Sequence, residues 1–165
     1  MVTDPVKPGP SERQSGGTTS TEPPWVKDVI WWQVFPMGFT GADMSGRDRT
    51  RHLGLRHIEQ WLDYVVELGA SGILLGPIFE SASHGYDTID YFRVDTRLGA
   101  QSDVDSLIAS AHSKGLRVLL DGVFNHVGRD SAAFQSVLSQ GEESEFAGWF
   151  RLTWPADLEP GQVPG

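Results

Sequence analysis

The chain has 165 residues, a hydrophobic fraction of 39%, six tryptophans and no cysteine, which suits one globular domain. Its 13 basic and 22 acidic residues give a formal net charge of -9, which argues against nucleic acid and an anionic membrane surface as partners. The absence of cysteine excludes disulfides and thiolate metal sites.

The first 24 residues are predicted to be a disordered leader. They include five prolines, three glycines and no aromatic residue, so they cannot bury enough apolar surface to offset the entropy of ordering. Structure is predicted to begin at Trp25. The nearly continuous apolar run from Val29 to Phe35, ended by Pro36, indicates a first strand covered on both faces.

After a polar loop, apolar residues at helical spacing predict one amphipathic helix that ends at Gly69. Its predicted apolar face consists of Leu55, Ile58, Leu62, Val65 and Val66. The short run Ile73–Leu75, ended by Gly76 and Pro77, predicts a second buried strand. Residues 79–101 are then predicted to form one long loop.

A second helix is predicted to start at Ser102, because Asp105 three residues later completes a capping-box pattern. It is predicted to end at Gly115. The apolar run Leu116–Leu120 follows immediately and predicts a third strand.

The order β-α-β-α-β, with right-handed crossovers, begins both a doubly wound sheet and a (β/α)8 barrel. A nucleotide-dependent enzyme on a doubly wound sheet is disfavoured, because neither G-x-G-x-x-G nor a Walker sequence follows the first strand. Beyond the third strand we predict one short helix over residues 131–138 and an acidic, aromatic loop region from Gly141. No fourth strand is predicted, whereas a barrel needs eight, so the pattern indicates part of a barrel.

Two polar segments follow predicted strands. Residues 84–87 read His-Gly-Tyr-Asp and come after the second strand, and residues 121–126 read Asp-Gly-Val-Phe-Asn-His and come after the third. Residues at the carboxyl ends of parallel strands face the crevice where ligands of α/β proteins bind. We therefore expect both segments to line one site for a polar, hydroxyl-rich ligand.

Three motifs occur in order: Trp-Trp-Gln-Val-Phe-Pro at 31–36, Gly-Tyr-Asp-Thr-Ile-Asp-Tyr at 85–91 and Asp-Gly-Val-Phe-Asn-His at 121–126. Together they resemble the α-amylase family, glycoside hydrolase family 13. Residues 146–150 are similar to the insertion found in the neopullulanase and cyclomaltodextrinase branch. The resemblance implies an α/β fold, specifically a partial (β/α)8 TIM barrel.

By this resemblance, residues 25–127 hold the first three βα repeats of the catalytic barrel. Residues 128–165 would be the truncated start of the insertion (B) domain, and residues 1–24 remain the leader.

The resemblance also implies roles at the sugar bound next to the scissile bond. His126 would donate a hydrogen bond to sugar hydroxyls, Tyr86 would stack on the sugar ring, and His84 contacts the primary hydroxyl in some members. Asp87 is a substrate-binding candidate that more simply braces its loop through an ion pair. The alternatives are purely structural roles, in which His126 satisfies a backbone carbonyl and Tyr86 is buried under its own loop.

Asp121 would be a structural partner for an arginine on the next strand, which is not in this chain. In many members Asn125 helps to hold a structural calcium ion, because an amide oxygen is a hard neutral ligand; bracing the loop is the alternative. No cofactor is otherwise expected to be required. Asp90, Tyr91 and Asp95 are interpreted as loop scaffold.

A retaining glycosidase uses two carboxyl groups about 5 Å apart, and in this family they end strands four and five. The sequence reaches Gly165 without a fourth strand, so the nucleophile and the acid/base are expected to lie beyond Gly165. No catalytic residue is then expected in the chain, and it should be inactive alone.

The expected function is that of the N-terminal part of an enzyme acting on α-1,4-linked glucans such as maltodextrins. A complete small carbohydrate-binding or interaction module without catalysis is the alternative.

The sequence has no apolar stretch of about 18 residues, the length that a transmembrane helix requires. The amino terminus lacks the apolar core of a signal peptide. We therefore expect a cytoplasmic protein. The family resemblance implies an α-glucan oligosaccharide as its partner, and the oligomeric state is left open.

Overall fold

Residues 22–152 are described by the computed structural model of the chain. Of the predicted leader, residues 1–21 lie outside the described residues. Near the other end, Trp154 and the last residue, Gly165, also lie outside them. Within the described stretch, no helix combines the length and the apolar character needed to cross a bilayer.

The described residues form five strands and five α-helices. The strands are β1 (Trp31–Val34), β2 (Gly72–Leu75), β3 (Phe79–Ser81), β4 (Thr88–Val94) and β5 (Arg117–Leu120). The helices are α1 (Pro36–Phe39), α2 (Leu55–Glu59), α3 (Leu62–Glu67), α4 (Gln101–Ser113) and α5 (Ala132–Gln140). Single 3-10 turns occupy Pro24–Lys27, Gly141–Glu143 and Ala147–Trp149.

A parallel sheet in the order β1-β2-β5 organises the fold. Val34 pairs with Leu75, and Leu75 pairs with Leu120. The carboxyl ends of the three strands therefore lie side by side and make one rim. The predicted order β-α-β-α-β is confirmed, with α2 and α3 in the first crossover and α4 in the second.

The core lies between this sheet and the helices of the two crossovers. Its fully buried members include Leu55, Ile58, Leu62, Val65, Ile73, Leu107 and Ala111. Each Leu or Ile contributes about 1.5–3 kcal/mol when it is removed from water. The packing thus fixes the strands whose ends carry the polar segments.

The first helix departs from the prediction, because it is broken into α2 and α3 with Gln60 and Trp61 between them. Val66, predicted on the apolar face, is 45% exposed. It follows Val65 by one residue and is therefore turned about 100° away from it around the helix axis. The four other predicted positions are buried as expected.

The first strand is shorter than predicted and is not covered on both faces. The side chain of Gln33 is exposed, and Trp31 and Trp32 are half-buried. Within the described residues β1 is an edge strand, since it pairs with β2 alone. Its apolar run was therefore a poor guide to how completely it is buried.

Residues 79–101, predicted to be one loop, contain an antiparallel hairpin made of β3 and β4. Phe79 pairs with Val94 and Ser81 pairs with Thr88, with register shifts between these pairs. The sequence did not reveal the hairpin because β3 is only three residues long and the turn between the strands carries the polar segment 84–87. The hairpin presents that segment at the rim.

The start of the second helix was also misplaced. The N-cap of α4 is Ala100, whose backbone N–H donates to the Asp103 carboxylate at 2.9 Å. The predicted pair of Ser102 and Asp105 lies inside the helix instead. By contrast, Ser131 caps α5, with its hydroxyl oxygen accepting the Phe134 N–H at 3.4 Å.

Candidate functional site

The two polar segments meet at the rim, as the strand order predicts. The Nε2 atom of His126 lies 2.7 Å from the backbone oxygen of Tyr86. One segment follows β5 and the other lies in the turn of the β3–β4 hairpin. The sugar contacts assigned to them remain predictions.

Both ring nitrogens of His126 have partners within the chain. Nε2 faces the Tyr86 carbonyl oxygen, and Nδ1 lies 3.4 Å from the side-chain nitrogen of Asn125. A neutral ring with its proton on Nε2 satisfies both contacts, because Nε2–H then donates and Nδ1 accepts. This matches the alternative in which His126 satisfies a backbone carbonyl, while the residue as a whole stays exposed.

The Tyr86 ring is 38% exposed, so it is not buried under its own loop. It stacks on Phe35 with the ring centroids 5.9 Å apart and an angle of 25° between the planes. An aromatic pair of this kind contributes about 0.5–1.5 kcal/mol beyond area burial. Phe35, just after β1, therefore supports the ring that is the candidate sugar platform.

His84 and Asp87 form a small cluster around the same turn. His84 Nδ1 accepts the backbone N–H of Tyr86 at 3.2 Å and lies 3.8 Å from Asp87 Oδ1. Burial raises the pKa of Asp87, but hydrogen bonds from Ser83 and the nearby His84 outweigh it and hold the pKa below its ordinary value. Asp87 is thus an ionised group that braces the turn.

The loop after β5 contains a strained residue. Val123 has a φ of 45°, the one positive φ outside glycine in the described residues. Such a conformation is unusual for a β-branched side chain and costs about 1–3 kcal/mol. Asp121 Oδ1 accepts the Val123 N–H at 3.1 Å. The pairing of Asp121 with an arginine on the next strand stays a prediction.

The Tyr91 hydroxyl binds the other side of that turn. Its single proton is shared between the carbonyl oxygens of Val123 at 2.8 Å and His126 at 3.1 Å. Tyr91 was predicted only as loop scaffold, and these contacts agree with that. Nothing in the sequence indicates a positive φ at a valine, so the strained turn could not be foreseen.

A buried charge network holds the base of the hairpin. Arg97 and Asp95 are both fully buried and form a two-point ion pair, with Nη2–Oδ2 at 2.6 Å and Nε–Oδ1 at 2.9 Å. Arg97 also donates to the Ser81 hydroxyl at 2.9 Å. The scaffold role predicted for Asp95 agrees with these contacts, whereas its partner Arg97 was missed.

Burial by itself raises the pKa of Asp95. The hydrogen bonds and charge of Arg97, with a further contribution from Arg49, outweigh it and hold the pKa below its ordinary value. Arg49 also pairs with Glu80 on β3. The network therefore ties the loop after α1 to the hairpin that carries Tyr86.

A cavity of about 710 Å³ adjoins His126. Its walls are mainly aromatic and include Phe92, Phe124, Phe134 and Trp149. The residues of the turn at 84–87 do not line it. His126 therefore stands between the Tyr86 platform and this aromatic cavity.

In the described part of the chain, no cluster of carboxylates accompanies the predicted calcium ligand Asn125. Within residues 22–152, no group of three or more His, Cys, Asp or Glu side chains is placed to hold a metal ion. A calcium ion takes six to eight oxygen ligands. Backbone carbonyls, amide oxygens and water can supply the others, so calcium binding at Asn125 stays a prediction.

Residues 33–164 match the family model described as "Alpha amylase, catalytic domain". The cyclomaltodextrinase of Geobacillus thermopakistaniensis (strain MAS1) is 40% identical over 154 residues, covering 84% of this chain and 26% of that protein. The intracellular maltogenic amylase of Bacillus subtilis (strain 168) is 37% identical over 149 residues, covering 81% of this chain and 25% of that protein. The chain thus spans about a quarter of the length of these relatives.

Among solved structures, the debranching enzyme from Nostoc punctiforme superimposes with a TM-score of 0.66 at 33% sequence identity. The match covers 84% of this chain and 32% of that one. The likeness therefore extends over most of the elements that build the rim.

Proposed function

The chain belongs to the α-amylase family, and from that membership we propose that its rim binds an α-1,4-linked glucan as part of a longer retaining glycoside hydrolase. The fold is that of the first three βα repeats of a (β/α)8 barrel with the start of the insertion domain. In character the chain resembles the neopullulanase and cyclomaltodextrinase branch.

The observation that carries the proposal is the contact between the His126 ring and the Tyr86 backbone at the strand ends. A pyranose ring presents C–H groups on its face and hydroxyls around its edge. The half-exposed Tyr86 ring, supported from behind by Phe35, offers a flat apolar surface for that face. His126 and His84 supply polar groups at its margin.

The Nε2–H of His126 is engaged with the Tyr86 carbonyl in the free chain. A sugar hydroxyl that takes the place of this carbonyl would accept the same N–H without any reorientation of the ring. The internal bond therefore keeps the imidazole poised beside the platform. Asp87 contributes indirectly, because its ionised carboxylate braces the turn that holds His84 and Tyr86.

The reaction proposed for the longer protein is hydrolysis of the glucan or transfer of its glucosyl group, with retention of configuration. That reaction requires two carboxyl groups about 5 Å apart, one as nucleophile and one as acid/base. Near the rim, Asp121 accepts a hydrogen bond from Val123 and Asp87 accepts one from Ser83. Each carboxylate accepts a hydrogen bond within its own loop instead of forming the catalytic pair. We therefore expect the 165-residue chain alone to be inactive.

The position of the nucleophile and the acid/base beyond Gly165 stays a prediction. Its support is the share of the relatives that the chain covers, 26% of the cyclomaltodextrinase and 25% of the maltogenic amylase. The longer protein therefore has room for the strands that would carry both carboxyl groups.

Isothermal titration of the chain with maltotriose tests the proposal. Tyr86→Ala and His126→Ala should each weaken binding about ten-fold, because each removes stacking or a hydrogen bond of roughly 1–1.5 kcal/mol. Tyr64→Ala, at a tyrosine on α3 that is 47% exposed, is the matched control and should bind as the parent does. The proposal is contradicted if the parent chain does not bind maltotriose, or if its affinity is unchanged in both Tyr86→Ala and His126→Ala.

The expected lack of turnover is tested separately. The purified chain should release no reducing sugar from maltooligosaccharides. Saturable turnover that His126→Ala abolishes would show that the chain carries its own catalytic groups.

A carbohydrate-binding module without catalysis is the second candidate, favoured by the engagement of both rim carboxylates in loop hydrogen bonds. The genomic sequence downstream discriminates between the two. A continuing reading frame with a fourth strand that ends in Arg-x-Asp supports the enzyme. A stop codon, combined with cooperative unfolding and glucan binding by this chain, supports the module.

We also propose a cytoplasmic location. Its support is the relative named as an intracellular maltogenic amylase. Fractionation of the source cells, with immunodetection of the chain, would contradict the proposal if the protein were found outside the cytoplasm.

A further inference from the structure

The loop that carries His126 is held by few contacts, and the Tyr91 hydroxyl makes two of them. It reaches the carbonyl oxygens of Val123 and of His126, at 2.8 and 3.1 Å. These carbonyls lie on either side of Phe124 and Asn125, so one hydroxyl spans the segment between the strained residue and the imidazole. Further anchors are the Asp121 carboxylate and the His126 ring. At the two ends of the loop, the Asp121 N–H donates to Leu75 O at 2.9 Å and the Gly128 N–H donates to Thr88 O at 2.7 Å.

Tyr91 is well placed to act as a fixed support. It lies in the middle of β4, whose partner β3 is tied to the Asp95–Arg97 pair through Ser81. Its ring packs near Phe79 at 6.1 Å and near Phe124 at 5.6 Å between centroids. A tyrosine hydroxyl is protonated at neutral pH and can donate, and burial raises the pKa of this one further.

We propose that Tyr91 is a positioning residue, whose hydroxyl holds the strained turn at Val123 and thereby keeps the His126 imidazole aimed at the Tyr86 side of the rim. The inference rests on the proposed function in so far as His126 contacts the glucan. A residue with positive φ returns to an extended or helical conformation when its restraints are removed. Such a return would rotate the peptide groups that lead into His126 and pull its ring away from the Tyr86 carbonyl.

The test is Tyr91→Phe, which deletes the hydroxyl and keeps the ring. Tyr64→Phe on α3 is the matched control. NMR of the 15N-labelled histidine rings reports whether the His126 proton stays on Nε2, and 15N relaxation reports the mobility of residues 123–127. We expect Tyr91→Phe to mix the His126 tautomers, to increase motion in that segment and to weaken maltotriose binding about five-fold.

A double-mutant comparison separates positioning from general stability. Val123→Gly removes the strain, because glycine adopts positive φ freely. If the hydroxyl acts by holding the strained turn, Tyr91→Phe should disturb the His126 ring signals less in the Val123→Gly background than in the parent. Equal effects in both backgrounds would contradict the inference.

The outcomes remain distinguishable from failure of the proposed function. A parent chain that does not bind maltotriose contradicts the glucan proposal, while the tautomer and relaxation measurements still decide the role of Tyr91. Unchanged His126 ring signals in Tyr91→Phe overturn the inference. So does a Tyr91→Phe chain whose circular dichroism shows loss of the fold, because a general structural role then explains the residue.

Discussion

The two sides of the rim are built in different ways. The hairpin that carries Tyr86 packs on a fully buried ion pair, in which Arg97 donates two hydrogen bonds to Asp95. The loop that carries His126 is exposed over residues 124–126 and contains a strained valine. One side is fixed by interactions that the whole fold depends on, and the other by a few replaceable hydrogen bonds.

This difference separates two kinds of mutation. Changes under the hairpin should act mainly on the free energy of unfolding, because they leave charges unpaired in the core. Changes in the loop should act mainly on the orientation of His126 and on ligand affinity. The following three predictions test that separation, in order of decreasing effect on stability.

The largest effect is expected from Arg97→Ala. It leaves the Asp95 carboxylate buried without its main partner, which destabilises the fold by about 3–5 kcal/mol. Urea unfolding followed by circular dichroism measures the change. Arg93→Ala, at an exposed position on β4, is the control and should stay within about 0.5 kcal/mol of the parent. Similar stabilities for the two variants would remove the basis of the comparison.

An intermediate effect is expected from acid. The folded-state pKa of Asp95 lies below its ordinary value, which is about 3.9. Its contribution to stability is therefore complete above about pH 5 and is lost as the pH falls through the folded-state pKa, because the unfolded chain takes up the proton first. Urea midpoints measured from pH 6 down to pH 3 should decrease.

Asp43 is expected to act in the same direction. Hydrogen bonds from the backbone of Asp48 and from Ser45 hold its pKa well below the ordinary value. In Asp95→Asn the acid-dependent loss should be smaller than in the parent, with the contribution of Asp43 remaining. An unchanged pH profile in that variant would show that Asp95 carries none of the dependence.

The smallest effect on stability is expected from Val123→Gly. Relief of the positive φ favours the folded state, whereas the extra freedom of glycine in the unfolded chain opposes it. The net change in the free energy of unfolding should lie within about 1 kcal/mol of zero. Thermal unfolding measures it, and a loss as large as that of Arg97→Ala would show that the loop, too, is part of the essential framework.

The sequence predicted the strands of the parallel sheet, but it did not predict the β3–β4 hairpin or the start of α4. The apolar run Ile73–Leu75 predicted the central strand β2, and the run Leu116–Leu120, which Arg117 interrupts, predicted β5. β5 is at an edge of the described sheet, and its residues alternate between exposed and half-buried. The hairpin was missed, since a three-residue strand with register shifts leaves no alternating pattern. The start of α4 was missed because the capping carboxylate serves Ala100, a residue with no capping side chain.

In the candidate site, too, some residues could be predicted from the sequence and others could not. His126 and Tyr86 were identified from motifs, and the strand order explains why they meet. The Arg97–Asp95 pair could not be recognised as buried, because charged residues two positions apart usually face solvent. The strained Val123 accepts a hydrogen bond from Tyr91, 32 residues away in the sequence, and such a contact has no local signature.

The position of β1 has a practical consequence for solution work. Within residues 22–152 its outer edge has no partner strand, and Ile30 just before it is 62% exposed. Unpaired backbone donors and acceptors beside an apolar side chain invite strands of other molecules to add. Self-association would then compete with unfolding and make melting temperatures rise with protein concentration. Dilution series should therefore accompany every thermal measurement on this chain.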